Sequence, residues 1–157
     1  MTVNINIMDT DSVQNGVSDL MDYQQRLADR ATEICRRLAE FGRPVAEVGF
    51  ASVDYDGTKD VKVTVERVEN GYAVKADGET VLFLEFGAGA TYGYGHPRPE
   101  QYGPGTYPSD KGHWDDPDGW YWKHGERSKG NAPSEAMFNA ERRITDEIVR
   151  IVNEVLQ

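Results

Sequence analysis

From Val13 onward the apolar residues Val17, Leu20, Tyr23, Leu27, Ala31, Ile34, Leu38 and Phe41 recur at intervals of three and four. That spacing is one face of a helix with 3.6 residues per turn, and it commits the start of the chain to a single long element. Asp11 or Ser12 offers the N-cap, while Gly42 with Pro44 just beyond reads as the stop. A helix of roughly thirty residues spans about 45 Å. Gly16 costs about 1 kcal/mol there relative to Ala and offers a later start. Val45 to Val53 is a second apolar stretch that either extends this helix or packs under a sheet. Ahead of it all, Thr2 to Met8 alternates with Val3, Ile5 and Ile7 on one side, as a short strand or extended arm does.

An element of that length must bury its stripe, and the rest of the chain offers a sheet and a second helix. Val61, Val63 and Val65 alternate with Lys62, Thr64 and Glu66, the pattern of a half-buried strand. Asn70-Gly71 is a strong hairpin signal and returns the chain through Tyr72 to Ala76. Asp77-Gly78 then turns it into a third strand, Val81 to Phe86. Pro133 suits the first turn of a closing helix, with Asn131 nearby as its cap. That helix shows an apolar face of Met137, Ala140, Ile144, Ile148, Ile151 and Val155, with Glu141, Arg142, Arg143, Asp146, Glu147 and Arg150 outside. The expected fold is α+β: an antiparallel sheet of three to four strands packed against the long N-terminal helix and the C-terminal helix. Such a small sheet has open edges that invite a neighbouring subunit.

The 157 residues read as one domain spanning 1–157, with an insertion at about 87–132. Between Gly87 and Gly130 lie all three Trp, five of eight Tyr, all three His, ten of sixteen Gly and five of seven Pro. Disordered linkers are poor in aromatics, so this composition points to a working surface rather than a tether. A net charge of −10 opposes a grip on nucleic acid, which needs cations to displace phosphate counterions, but it suits a surface that DNA slides past. The lone Cys35 gives no disulfide framework and no cysteine zinc site. Met1 to Asp11 lacks a secretory signal, and no eighteen-residue apolar run exists to span a membrane, so a protein kept in a cytoplasm, or in something assembled there, is expected.

Candidate chemistry is sparse. Glu85 stands alone in an apolar run, either as a catalytic acid or, the favoured reading, as a holder of loop amides or of a partner's cation. His96, His113 and His124 with Asp110, Asp115, Asp116 and Asp118 are the one metal set, but the histidines lack the close helical spacing of a zinc site. The run Asp115 to Gly119 lacks the alternating ligands of a calcium loop. Ser109, Ser128 and Ser134 have no nucleophile-elbow context, and Gly87-x-Gly89 is followed by prolines rather than a helix. No catalytic residue, cofactor or metal is therefore expected. The aromatic side chains of the insertion are read as a small satellite core, as interface anchors or as a stacking platform. The candidate interface comprises Glu85, Phe86, Tyr92, Tyr94, Tyr107, Trp114, Trp120, Tyr121 and Trp122.

The stretch Val81 to Gly89 (VLFLEFGAG) resembles the strand-plus-glycine signature of the tail-component, or tail-completion, proteins of long-tailed bacteriophages and prophages. The order of elements is similar across nearly the whole chain, and Asn131 to Met137 resembles the Pro-containing approach to the last helix of that family. His96-Pro97 and the Gly-Trp-Tyr stretch resemble a subgroup from prophages of Gram-positive bacteria. The resemblance implies a structural virion protein without catalysis, forming a ring, of six subunits in the family's pattern. It would stand at the neck, between the head connector and the tail tube or tail terminator, around the DNA channel. The insertion is longer than in many relatives. The reading from another class is a carbohydrate- or cell-wall-binding module that stacks sugars on Trp114, Trp120 and Trp122.

Overall fold

A computed structural model describes residues 4–55, 58–88, 95–98 and 130–157, and the backbone alone at 120–121 and 127–128. The order of elements is α1 (Thr10–Ser52), β1 (Lys62–Val68), β2 (Gly71–Asp77), α2 (Val81–Phe86), β3 (Trp120–Tyr121), β4 (Arg127–Ser128) and α3 (Ala136–Leu156). The class is mixed α+β, with a long first helix and a closing helix. No described helix is long and apolar enough to cross a membrane. Residues 4–6, within the expected N-terminal strand or arm, have no regular structure, and residues 1–3 lie outside the described residues.

Helix α1 is the spine, at 43 residues and about 65 Å. It starts earlier than expected: Asp9 is the cap, its Oδ1 accepting from the Asp11 amide at 3.1 Å, while Ser12 Oγ accepts from the Asn6 amide instead. It also ends later, passing straight through Gly42 and Pro44. Pro44 removes the donor for the Glu40 carbonyl, a cost of about 3 kcal/mol in a helix interior. Burial of Ala46 and Phe50 in the main core, with Val45 packed against it, offsets that cost. Gly42 is a packing residue rather than a stop, since a Cβ there would lie 2.3 Å from Ile144 Cδ1 and 3.5 Å from Val74 Cγ2. One turn pair further, a Cβ on Gly49 would come within 2.6 Å of Ala136 Cβ and 2.8 Å of its Cα.

These contacts set α3 antiparallel to α1. Ala136 lies at Gly49, Ile144 at Gly42, and the Leu156 carbonyl accepts from Arg30 Nη1 at 3.2 Å. Residues 10–29 extend past the end of α3. Both α3 and the hairpin pack on α1, and they meet over the face that carries Gly42. The core joins every principal element: Ala46 and Phe50 from α1, Val63 from β1, Leu84 from α2, and Ala136 and Ala140 from α3.

Strands β1 and β2 pair antiparallel from Lys62↔Asp77 to Val68↔Gly71. The turn sits one residue earlier than the Asn70-Gly71 signal indicates, on Glu69 and Asn70. Gly71 opens β2 at φ 146° directly over Cys35, whose Sγ would lie 3.3 Å from an added Cβ. The expected third strand is absent, because Val81–Phe86 is helical and the sheet has two strands. A continuous apolar run carries no period that separates a buried strand from a buried helix. What decides it lies outside the run. Gly78, at φ 148°, bends the chain against Asp60, and the Asp60 carboxylate accepts from the Glu79 amide (2.6 Å), the Thr80 amide (3.1 Å) and the Thr80 hydroxyl. That cluster closes the first turn of α2. Leu84, Glu85 and Phe86 are then buried in succession, which a strand with one wet face does not allow. The further strands β3 and β4 pair with each other as a separate two-stranded ribbon.

Candidate functional site

The insertion is pinned shut at its base. Ala88 and Asn131 exchange both amide–carbonyl bonds, at 2.9 and 3.1 Å. Asn131 Nδ2 also donates to the Phe83 and Ala132 carbonyls, at 3.0 and 3.2 Å. Asn131 is thus a clasp between the two legs of the insertion and not the cap of α3. The Ser134 and Glu135 amides bond to the Leu84 and Glu85 carbonyls. Gly87 makes the join possible: it sits at φ 77°, and a Cβ there would be 2.8 Å from both the Asn131 oxygen and the Pro133 nitrogen.

Directly beneath this clasp lies Glu85, only 4% exposed. The residue at the cap position of α3 is Glu135, in the left-handed region at φ 53°, and it supplies no capping side chain. The Ala136 amide donates to Ser134 Oγ at 3.3 Å, and the next two amides of the first turn go to Glu85. Its Oε2 accepts from the Met137 amide at 2.8 Å, and its Oε1 accepts from the Phe138 amide at 3.0 Å. A carboxylate brought from α2 therefore caps a helix fifty residues downstream, where the positive end of the helix dipole favours it. Pro133 lies three residues ahead of that helix rather than in its first turn.

His96 completes the arrangement from the near leg of the insertion. It is 5% exposed, with Nε2 3.3 Å from Glu85 Oε1, and its Nδ1 accepts from the Arg98 amide at 3.0 Å. Because Nδ1 is an acceptor, these contacts suit the neutral tautomer with its proton on Nε2, pointing at the carboxylate. The ring lies against Phe86, with centroids 4.2 Å apart, and meets Phe138 edge-on at 5.8 Å. Arg98 then lies over the Phe138 ring at 5.2 Å and forms a two-armed ion pair with Glu141, at 2.8 and 3.0 Å. Arg142 approaches the same ring at 5.9 Å. A groove of about 430 Å³ runs along this surface, lined by Leu82, Phe86, His96, Arg98, Phe138 and Glu141 among others.

Chemically this is a clamp. Both Glu85 oxygens and both His96 nitrogens are matched to partners, the arrangement that lets a charge be buried. No buried side-chain nitrogen or oxygen among the described residues lacks a hydrogen bond. Of the two readings of Glu85, the geometry matches the holder of amides, although the amides belong to a helix rather than to a loop. Phe86, 5% exposed, is likewise covered by this chain's own atoms. Trp120 and Tyr121 are placed as the backbone of β3. Tyr92, Tyr94, Tyr107, Trp114 and Trp122 lie outside the described residues. So do His113, His124, Asp110, Asp115, Asp116 and Asp118, and no group of three or more metal-ligating side chains occurs among the described residues. His96, Arg98, Asn131 and Phe138 as parts of one clamp were not readable from spacing. A lone acid in an apolar run, Glu85, was the one signal.

No family model, curated protein or solved structure matches this chain.

Proposed function

We propose that this chain is a structural assembly protein of a bacteriophage or prophage neck. It acts by forming a ring and docking the tail to the head connector around the DNA channel, without catalysis. The observation that carries the reading is the clasped base at Gly87, Ala88 and Asn131. An insertion holding all the tryptophans is presented from a body whose nearby polar groups are spent on structure. Aromatic side chains on such a platform suit contact with protein surfaces. Among the described residues β1 and β2 pair only with each other, which leaves each an edge for a neighbour, and a net charge of −10 suits a channel that DNA traverses without sticking. The resemblance of Val81 to Gly89 to tail-completion proteins supplies the class.

The test is deletion of the gene from its phage or prophage. The expected result is full heads and tails that fail to join, restored by the gene in trans, with purified protein binding connector or tail-tube protein. Normally joined particles after a clean deletion would overturn the proposal. Retention on peptidoglycan without binding to neck proteins would direct attention to the sugar-stacking role of Trp114, Trp120 and Trp122.

A further inference from the structure

We propose that the outer edge of β1 is a self-association surface, where the β1 strand of a second copy of this chain adds antiparallel and makes one continuous sheet across a two-fold axis. This surface is separate from the insertion and does not depend on the neck reading. Successive residues of an antiparallel ladder turn their backbone groups alternately toward the paired strand and away from it. Val68 and Gly71 flank the two-residue turn as a hydrogen-bonded pair, which directs Lys62, Thr64 and Glu66 toward β2 as well. The N–H and C=O groups of Val63, Val65 and Arg67 therefore point outward, and they make no backbone hydrogen bond among the described residues. Val63 is 8% exposed, and a backbone left unpaired at such a position is unfavourable. Beside it runs a groove of about 800 Å³, walled by Glu40, Arg43 and Glu47 of α1.

Three observations identify the occupant. The first is the edge itself. A row of amides and carbonyls from Lys62 to Val68, unbroken by proline or bulge, is matched by another extended strand. The second is that β2 offers no equal mate. Its Val74 stands with Ile144 of α3 at the Gly42 position, and its Ala76 shares a groove with Met137 and Phe138. With α3 beside that edge, a second copy meets β1 with its own β1, and a two-fold makes the pair antiparallel. The third is charge. Setting Val63 opposite Val65 of the second copy, so that outward groups meet, also sets Lys62 opposite the second copy's Glu66, twice over. Lys62 forms no ion pair among the described residues, and Glu66 has only a 3.5 Å contact with the half-exposed Lys75. Glu40 and Glu47 with Arg43 and Lys62 leave the groove neutral on a chain of net charge −10, so copies meet here with little repulsion. Two hairpins joined at β1 lie two strand spacings apart, about 9.5 Å, which is the distance at which helices pack, so the α1 behind each has room.

The test is sedimentation equilibrium on the full chain at concentrations up to about 100 μM, with amide exchange read at Val65 and Glu66. Wild type is expected to be a reversible dimer in which exchange at Val65 slows as concentration rises, while Glu66 stays protected throughout. Val65→Pro removes an outward N–H and no bond within the hairpin, and should weaken the dimer about tenfold or more. Retained protection at Glu66 and across α3 would show that the variant is folded. Lys62→Glu alone and Glu66→Lys alone leave the backbone intact; each is expected to weaken the dimer, and mixing the two to restore it as a heterodimer. A monomeric wild type, or a Val65→Pro variant that dimerises like wild type, would overturn the β1 edge. Charge variants that dimerise like wild type, or that fail to recover on mixing, would overturn the register. A wild type that assembles with Val65 exchanging freely at every concentration would also overturn the edge, yet leave a ring built through other surfaces intact, so the two proposals fail separately.

Discussion

Removing the Glu85 carboxylate should loosen the molecule at a point far from its own helix. In Glu85→Ala, the Met137 and Phe138 amides lose charged acceptors at 2.8 and 3.0 Å, and His96 Nε2 loses its neighbour at 3.3 Å. A hydrogen bond to a charged group contributes about 1.5–3 kcal/mol, and Glu85→Ala takes the acceptor from the two amides and from the His96 ring. These terms overlap rather than add, so the expected loss is about 3–5 kcal/mol. That is a large part of the roughly 5–15 kcal/mol that holds a domain together. At about 2–4 °C per kcal/mol, the melting temperature should fall by about 6–20 °C. Glu85→Gln keeps the shape and one acceptor oxygen but turns an NH2 toward an amide or the histidine, and should lose about 1–3 kcal/mol. The assay is urea unfolding of the three proteins, with hydrogen exchange read at Met137 and Phe138. The expected order is wild type, Gln, then Ala, with exchange faster at those two amides in both variants. An Ala variant within about 0.5 kcal/mol of wild type, with unchanged exchange at those amides, would refute the capping argument.

Three other outcomes follow from the packing. Gly49→Ala should destabilise by about 1–3 kcal/mol despite the helix propensity it gains, because its Cβ meets the Ala136 backbone at 2.8 Å; a neutral result in urea unfolding would place α3 further from α1. Hydrogen bonds from the Thr80 hydroxyl and the Glu79 and Thr80 amides hold the Asp60 carboxyl below its ordinary value. A depressed carboxyl contributes stability above the unfolded value of about 3.9 and loses it as pH falls through the folded value, so wild type and Asp60→Asn should converge in acid unfolding profiles. Because Ala88 and Asn131 are a hydrogen-bonded antiparallel pair, with Cα atoms about 5.5 Å apart, an Asn-Gly turn replacing 89–130 should leave the α1–α3 body folded by circular dichroism and amide NMR, weakened about as much as by His96→Ala.

The long helix, the hairpin and the closing helix were legible because each writes its own period into the chain. Their ends were less so. Gly42 and Pro44 carry the local grammar of a helix stop, and only the bodies of Ile144 and Val74 against Gly42 turn that glycine into an interior residue. Likewise, nothing inside Val81 to Phe86 distinguishes strand from helix. The deciding groups are the carboxylate of Asp60, some twenty residues earlier, and the clasp at Asn131, some fifty residues later. Glu85 stood out in sequence as a charge among apolar neighbours, and its partners did not, because backbone amides have no sequence signature. His96 joins it through an eleven-residue excursion whose geometry no periodicity encodes.

The clasp between Ala88 and Asn131 also bears on how this protein can change over evolutionary time. Once a segment's two ends are held together by the body, the entropy lost in closing it grows only logarithmically with its length, about 0.6 kcal/mol for each doubling. A change in the length of the chain between Ala88 and Asn131 therefore adds little closure entropy, while the clasp, the cap and the glycine seam of α1 stay under constraint. Homologues should accordingly diverge fastest in the segment that holds Trp114 and Tyr107 and slowest at Gly49, Glu85 and Asn131. Partner choice would then drift independently of fold.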